Sequence, residues 1–490
     1  MMKCRTKVNG WIAAVAAVSV LAAGCGVRTD TPVESGATAP VETTAVQTEP
    51  GTVEKPTHPE PATIEPFPTE ESQTEAEALD NGNRIVLMTD IHYLASSLTD
   101  GGEAFQTMID HGDGKLVNYV SEIVDAAFEE AVSQRADVLI LSGDLSLNGE
   151  RESHEEMAQK LAKVEAEGLP VLVIPGNHDI NNPRAAGYEG NDIYPAKSTT
   201  PEDFAEIYRD FGYGEAYSRD SSSLSYVYQL NDHLRILMLD TCQYEPRNLV
   251  GGMIKTETYD WIERQLNEAD ADGMSLLPVA HHNLLDESKI YVDNCTIEHS
   301  EYLIDLLEAR NIPLFLSGHL HVQHYMQHND IGIYEVVTSS LATPPCQYGV
   351  LDYMRDETFS YRTEQVDMER WAKRHHVTDE NLLNFDTYSP PTLNKIFYNQ
   401  AYDAMKDSRE EETGDLFVKL KESEKQQMSQ VYADINAACY AGKAVDVVEE
   451  GKTRPGFAMW EEYCYPPVLF EYLEYIVEDA VKDYNRLVVN

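Results

Sequence analysis

The chain of 490 residues carries 37 Lys and Arg against 84 Asp and Glu, a net charge of −47, and 42% of it is apolar. That length and apolar content suffice for two packed domains with extensions. The acidic excess repels polyphosphate backbones and anionic lipid head groups, so no nucleic acid polymer is expected as a partner.

At the N-terminus Lys3, Arg5 and Lys7 precede the apolar stretch WIAAVAAVSVLAA, which ends in LAAGC, Leu21 to Cys25. A basic start followed by an apolar run too short to span a bilayer comfortably has the layout of a secretory signal. The ending resembles a bacterial lipobox, with Ala22 where leucine is commonest. Residues 1–25 are therefore expected to be a lipoprotein signal peptide, with Cys25 as the lipidated residue; an ordinary cleaved signal or a plain anchor is the alternative. The implied location is the outer face of a bacterial membrane, held there through the lipid alone. Residues 26–82 are rich in Thr, Pro and Glu, with scarcely a large apolar side chain. Such a segment cannot offset its ordering entropy and reads as a disordered tether. Cys242, Cys295, Cys346, Cys439 and Cys464 are scattered without CxxC spacing and are expected to be packed free thiols, with at most an incidental disulfide.

From Arg84 onward, apolar runs alternate with amphipathic segments. RIVLM leads to Asp90-Ile91-His92, DVLIL to Ser142-Gly143-Asp144, and VLVIP to Gly176-Asn177-His178-Asp179. Further on, SLLPVA leads to His281-His282-Asn283, and IPLFLS to Gly318-His319-Leu320-His321. Short continuous apolar runs read as strands buried on both faces, and stripes such as Leu116, Val120, Ile123, Ala127 and Phe128 read as helical crossovers between parallel strands. One polar strand end means little. Five on the same edge of a sheet converge in space, and their Asp, Asn and His groups suit hard or borderline transition ions in sufficient number for two.

The ordered set D-x-H, G-D, G-N-H-D, a mid-chain His and G-H-x-H resembles the calcineurin-like metallophosphoesterases over residues 83–366. The resemblance implies a four-layer αββα sandwich of the α/β class. It also implies two divalent transition metal ions, manganese first, with iron or zinc as alternatives. By that likeness Asp90, His92 and His321 would hold one ion, Asn177, His281 and His319 the other, and Asp144 would bridge both. His178 would reach the leaving oxygen with Asp179 orienting its ring, and a metal-bridging hydroxide would attack phosphorus. Two dications, two carboxylates and one hydroxide leave such a centre at about +1, which attracts a phosphoryl anion.

Sister families are disfavoured by what is missing. GDLSLNG, Gly143 to Gly149, lacks the Arg of the protein Ser/Thr phosphatases, and Leu147 stands where purple acid phosphatases place a metal-binding Tyr. GDLSLNGERESHEE and SGHLHVQ look like the exported bacterial members of the class III cyclic nucleotide phosphodiesterase branch. The expected substrate is therefore a small phosphoester, a cyclic nucleotide or similar diester. A phosphate-scavenging monoesterase or nucleotidase is the alternative, and a non-catalytic surface lipoprotein on the same fold is the rival from another class. Asn148, His282 and Tyr93 are candidate substrate or supporting contacts, with Tyr244 a further stacking candidate. Residues 376–490 read as an all-α bundle of three amphipathic helices, the first opening at Ser389-Pro390-Pro391, and no protein partner is identifiable.

Overall fold

A computed structural model describes residues 82–288, 293–354, 356–406 and 420–489. The signal peptide, Cys25 and the tether up to residue 81 lie outside the described residues, within which no helix is long and apolar enough to cross a membrane.

The strands in chain order are β1 (Asn83–Met88), β2 (Val138–Ser142), β3 (Val171–Ile174), β4 (Ala186–Glu189), β5 (Asp192–Pro195), β6 (Ser218–Arg219), β7 (Tyr226–Gln229) and β8 (Leu234–Leu239). They continue with β9 (Ser275–Ala280), β10 (Leu314–Ser317), β11 (His324–Gln327), β12 (Tyr334–Val337), β13 (Gln347–Tyr353), β14 (Phe359–Gln365) and β15 (Arg486–Val489). Among the described residues they form a six-stranded sheet ordered β15-β14-β13-β1-β2-β3, a seven-stranded sheet ordered β11-β12-β10-β9-β8-β7-β6, and the β4-β5 ribbon. Both large sheets are mixed. β1, β2 and β3 are parallel and β13 to β15 antiparallel, whereas β8, β9, β10 and β12 are parallel with antiparallel strands at the edges.

The two-residue side-chain period of a strand explains the layering. In β8, Leu234, Ile236 and Met238 join the core shared with β1 to β3, while Leu237 and Leu239 turn the other way onto Trp261, Ile262 and Leu266 of helix Thr256–Asp272. Phe315 in β10 likewise faces outward, with Leu314 and Leu316 inward. Helices Val120–Ser133 and Arg151–Ala166 bury Ile123, Val124, Met157 and Leu161 against the first sheet, whose strands β2, β3 and β13 are buried on both faces. The result is the expected αββα sandwich, tied across its middle where the Tyr226 hydroxyl donates to the Val173 carbonyl at 2.9 Å.

A third core lies in the C-terminal region, where helices Phe385–Lys406, Glu422–Tyr440, Ala444–Lys452, Pro455–Tyr463 and Pro467–Asp479 converge on Tyr432 and Trp460. Burying each large apolar side chain there contributes about 1.5–3 kcal/mol. Three expectations need correction. Among the described residues the region has five core helices rather than three, because the short 444–452 and 455–463 segments carry too few turns to declare a stripe. Pro390 and Pro391 lie inside the first helix, which begins at the buried Phe385 rather than at the prolines. The region is also not wholly helical, since β15 returns to the six-stranded sheet beside β14. Cys242, Cys295, Cys346 and Cys439 are free thiols.

Candidate active site

The five polar strand ends come from two sheets rather than the single one expected, β1, β2 and β3 from the first and β9 and β10 from the second, and their loops meet. The loops are stitched together by their backbones: the Asp90 amide donates to the Gly143 carbonyl at 3.1 Å, and the His92 amide to the Asp144 carbonyl at 2.9 Å. Asp90, His92, Asp144, His319 and His321 all hold positive φ, between 49° and 72°. For non-glycine residues that conformation costs about 1–2 kcal/mol each. Five such costs in one place persist only because the surrounding packing and hydrogen bonds impose them.

The structure brings all seven expected ligand residues into one cluster, each at most 3% exposed. Nε2 of His321 lies 3.3 Å from Asp90 Oδ1 and 3.1 Å from His92 Nε2. Nε2 of His281 lies 3.1 Å from Asn177 Oδ1, 3.2 Å from His319 Nδ1 and 3.5 Å from Asp144 Oδ2. Asp144 Oδ2 also stands 3.7 Å from His92 Nε2, so this one oxygen faces both groups. The partners of the opposite ring atoms set the tautomers. His281 Nδ1–H donates to the Ser142 carbonyl at 3.0 Å and His319 Nε2–H to the Asn294 carbonyl at 2.9 Å, so that in the neutral rings the inward nitrogens are the lone pairs that a metal would take in place of a proton.

Two observations test whether this donor set fits metal ions. Asp90 Oδ1 and Asp144 Oδ2 are buried acceptors without a hydrogen-bond partner, a costly condition unless a cation meets them. Asp90-His92-His321 and Asp90-Asp144-His281 each place their donor atoms within 4.8 Å of one another, as does His92-Asp144-His178. The electrostatics agree. Burial pushes the Asp144 carboxyl up, yet the imidazoles of His281, His178 and His92 hold it well below the usual carboxylate value. Burial pushes His281 down, but the Asp144 and Asp90 carboxylates lift it to about 9. The carboxylates thus draw whatever cation is present, and the residues fit a pair of divalent ions.

The other expected residues are placed less uniformly. His178 stands beside the cluster, with Nε2 3.9 Å from Asp144 Oδ2. Burial pushes its pKa down to about 4 against the opposing pull of Asp144. Its ring is not oriented by Asp179, which corrects that expectation: Nδ1–H donates to the Leu147 carbonyl at 2.7 Å. The Asp179 carboxylate turns underneath, where it accepts from the amides of Gly176, Leu145 and Ser146 at 2.8, 3.1 and 2.9 Å and so fixes the two loops to each other. His282 spends both ring nitrogens on Thr241 Oγ1 and the Val250 carbonyl, at 2.8 Å each, and its ring packs 4.5 Å from that of His319. It supports the wall rather than offering a free donor. Asn148 is half-buried in the loop, its amide bonded to Glu150 Oε2 at 2.9 Å. Tyr93 and Tyr244 are corrected as stacking residues, since Tyr93 is fully buried in the sandwich core and the Tyr244 hydroxyl donates to the Asp240 carboxylate at 2.8 Å.

Sequence reasoning missed several contributors. Thr89 donates to Asp90 Oδ2 at 2.8 Å and the His319 amide to the same oxygen at 2.9 Å, which leaves only Oδ1 for the cluster. The Leu147 carbonyl, a backbone atom, leaves no residue-type signal at all. Asp113 and Lys115, ion-paired at 2.6 Å, are near enough to bear electrostatically on His178 from a loop that carries no strand-end pattern.

Comparison with known proteins agrees with this geometry. Residues 83–323 match the family described as calcineurin-like phosphoesterase, and residues 367–483 match the C-terminal domain of cyclic nucleotide phosphodiesterase. A probable cyclic nucleotide phosphodiesterase of Synechococcus sp. is 28% identical over 197 residues, 40% of this chain. One of Vesicomyosocius okutanii is 24% identical over 186 residues, 38% of this chain. The matched regions span 62% of the length of each of these relatives. A dimetal phosphatase structure from Danio rerio aligns at 13% identity and a TM-score of 0.44, covering 58% of this chain and 96% of that one. The chain therefore carries a calcineurin-like metallophosphoesterase domain over residues 83–323, followed over residues 367–483 by a C-terminal domain of the cyclic nucleotide phosphodiesterase kind.

Proposed function

We propose that the protein is a phosphodiesterase that hydrolyses cyclic nucleotides or similar small phosphodiesters at a dinuclear metal centre on the outer face of a bacterial membrane. The observation that carries the reading is the pair of orphaned, buried oxygens, Asp90 Oδ1 and Asp144 Oδ2, surrounded by inward-facing imidazole nitrogens. Asp90, His92 and His321 would hold one divalent ion, Asn177, His281 and His319 the second, with Asp144 between them; manganese, iron and zinc all accept such donors. When bound, the ions supply Lewis acidity toward phosphoryl oxygen and toward water.

The chain's own residues do the rest. The Leu147 carbonyl fixes the His178 ring with Nε2 turned toward the cluster, where it can hand a proton to the departing oxygen. Burial disfavours the charged ring, so Nε2 carries that proton only where an anionic substrate lying beside it offsets the cost. The Asp179 carboxylate keeps the loops after β2 and β3 in register, so Asp144 and His178 keep their separation. The surface location rests on Lys3, Arg5, Lys7 and the LAAGC ending.

The test is a substrate panel on purified protein with manganese, iron or zinc: cyclic AMP, cyclic GMP, bis-p-nitrophenyl phosphate and p-nitrophenyl phosphate. Diester turnover that stops on chelation is expected. A clear preference for the monoester overturns the diester assignment.

A further inference from the structure

The loop from Gly318 to Gln323 carries His319 and His321 at φ 72° and 60°. Its first half is bound within the sandwich: the Gly318 amide donates to the His281 carbonyl at 3.0 Å, and the His319 amide to Asp90 Oδ2 at 2.9 Å. The outer ring nitrogens of His281 and His319 are bonded to carbonyls, whereas among the described residues no hydrogen bond fixes Nδ1 of His321. The direction of the His321 ring therefore depends on its packing and on the backbone that carries it.

That backbone is held from beyond the sandwich. Gln323, fully buried two positions after His321, donates its amide N–H to the carbonyl of Tyr440, the last residue of helix Glu422–Tyr440, at 3.0 Å. Its Nε2 donates to the Tyr484 carbonyl at 3.1 Å, and its Oε1 accepts from the Tyr361 hydroxyl of β14 at 3.2 Å. Gly442, at φ +70°, closes the turn after that helix onto the same side chain, so closely that a Cβ would fall 2.8 Å from Gln323 Cγ. The turn is tied in its own right to the tail of the chain. The Tyr484 amide donates to the Gly442 carbonyl at 2.9 Å, and Asn485 Nδ2 to the Ala441 carbonyl at 3.0 Å. The backbone N–H and both side-chain polar atoms of Gln323 are thus partnered, and displacing it would leave buried polar groups unpaired.

We propose that Gln323 is a positioning residue through which the C-terminal helical region holds His321 in place as a metal ligand. The proposal rests on the dinuclear reading of the centre and goes beyond it by giving the C-terminal region a part in the site. Because His281 and His319 are anchored inside the sandwich, loss of the Gln323 contacts falls on the ion held by Asp90, His92 and His321 and spares the other.

The experiment titrates manganese calorimetrically into the metal-free full chain and records the electron paramagnetic resonance spectrum during loading. Gln323→Met retains the length of the side chain and removes both of its hydrogen bonds. It should weaken one of the two ions about tenfold, leave the other within about twofold of the wild type, and show the signal of an isolated ion before that of a spin-coupled pair. Gly442→Ala presses on Gln323 from the other side and should do the same, which keeps the test open where the first variant folds poorly. Trp460→Phe loses the Nε1 bond to the Met428 carbonyl, at 3.0 Å, inside the helical core; it should lower Tm without changing either affinity. A folded variant of either of the first two kinds that holds both ions as the wild type does overturns the proposal. So does a matching loss in Trp460→Phe, which would mark general destabilisation, or an equal loss at both ions. Wild-type protein that binds no pair of ions overturns the dinuclear reading and takes this role with it.

Discussion

Asp144 divides its carboxylate between two tasks. Oδ1 receives the amide of His178 at 2.8 Å, while Oδ2 stands bare 3.5 Å from Nε2 of His281. One oxygen holds a loop and the other is left for a cation.

Asp144→Asn retains the shape and one acceptor oxygen but removes the charge. It should cut metal affinity at least about a hundredfold, and activity with it, while the fold survives. Metal content after dialysis and a melting curve check this together; a variant that retains both ions would contradict it.

His178→Ala is expected to leave both ions bound and to lower kcat on the order of a hundredfold or more. Turnover with metal content measured on the same sample decides, and an unchanged kcat would remove the proton-transfer role.

His324, on β11, links the two regions: its ring lies between Glu287, which follows the active-site loop, and Asp479 at the end of the last helix. Tyr484 packs against the ring at 4.2 Å, and Lys482 is placed over Tyr484. Burial pushes the His324 pKa down, but Glu287 and Asp479 raise it to about 9, above the ordinary value of 6.5. A raised pKa means that the folded state holds the proton more tightly. The stabilisation is therefore full below pH 6.5 and is lost as pH rises through 9. It amounts to a few kcal/mol at most, roughly. His324→Gln should flatten the fall in Tm between mildly acidic and strongly alkaline pH, and a variant with the wild-type slope would assign that slope elsewhere.

Gly318→Ala would place a Cβ 2.0 Å from Thr89 Oγ1 and 2.7 Å from Asp90 Oδ2. It should displace Asp90, destabilise the fold by about 1–3 kcal/mol and weaken metal binding. Gly168→Ala, at φ +92° with no atom within 4 Å, should cost only backbone strain and leave metal binding intact. Thermal melts and metal titrations of both variants make the comparison.

The parts of the site legible in the sequence are those that β1, β2, β3, β9 and β10 announce through an apolar run followed by a polar cluster. An inward-facing strand must stop being apolar where it stops being buried, so the transition marks both the sheet edge and the cluster. Residues whose role depends on direction rather than type were not legible. Tyr93 follows His92 by one position yet points into the core, and Asp179 follows His178 yet points beneath it. Asp113 and Lys115 lie in a loop with no periodicity. β15 has only four residues, alternately exposed and buried, too few to raise a strand signal after a run of helices.

That last strand has a practical meaning for anyone trimming the protein. Val489 to Arg486 cover the backbone of Phe359 to Arg362 at the rim of the six-stranded sheet. A chain cut after the sandwich would bare the donors and acceptors of β14, an invitation to stick to other molecules. The helices are therefore sewn in by their own tail, and both regions should melt as one.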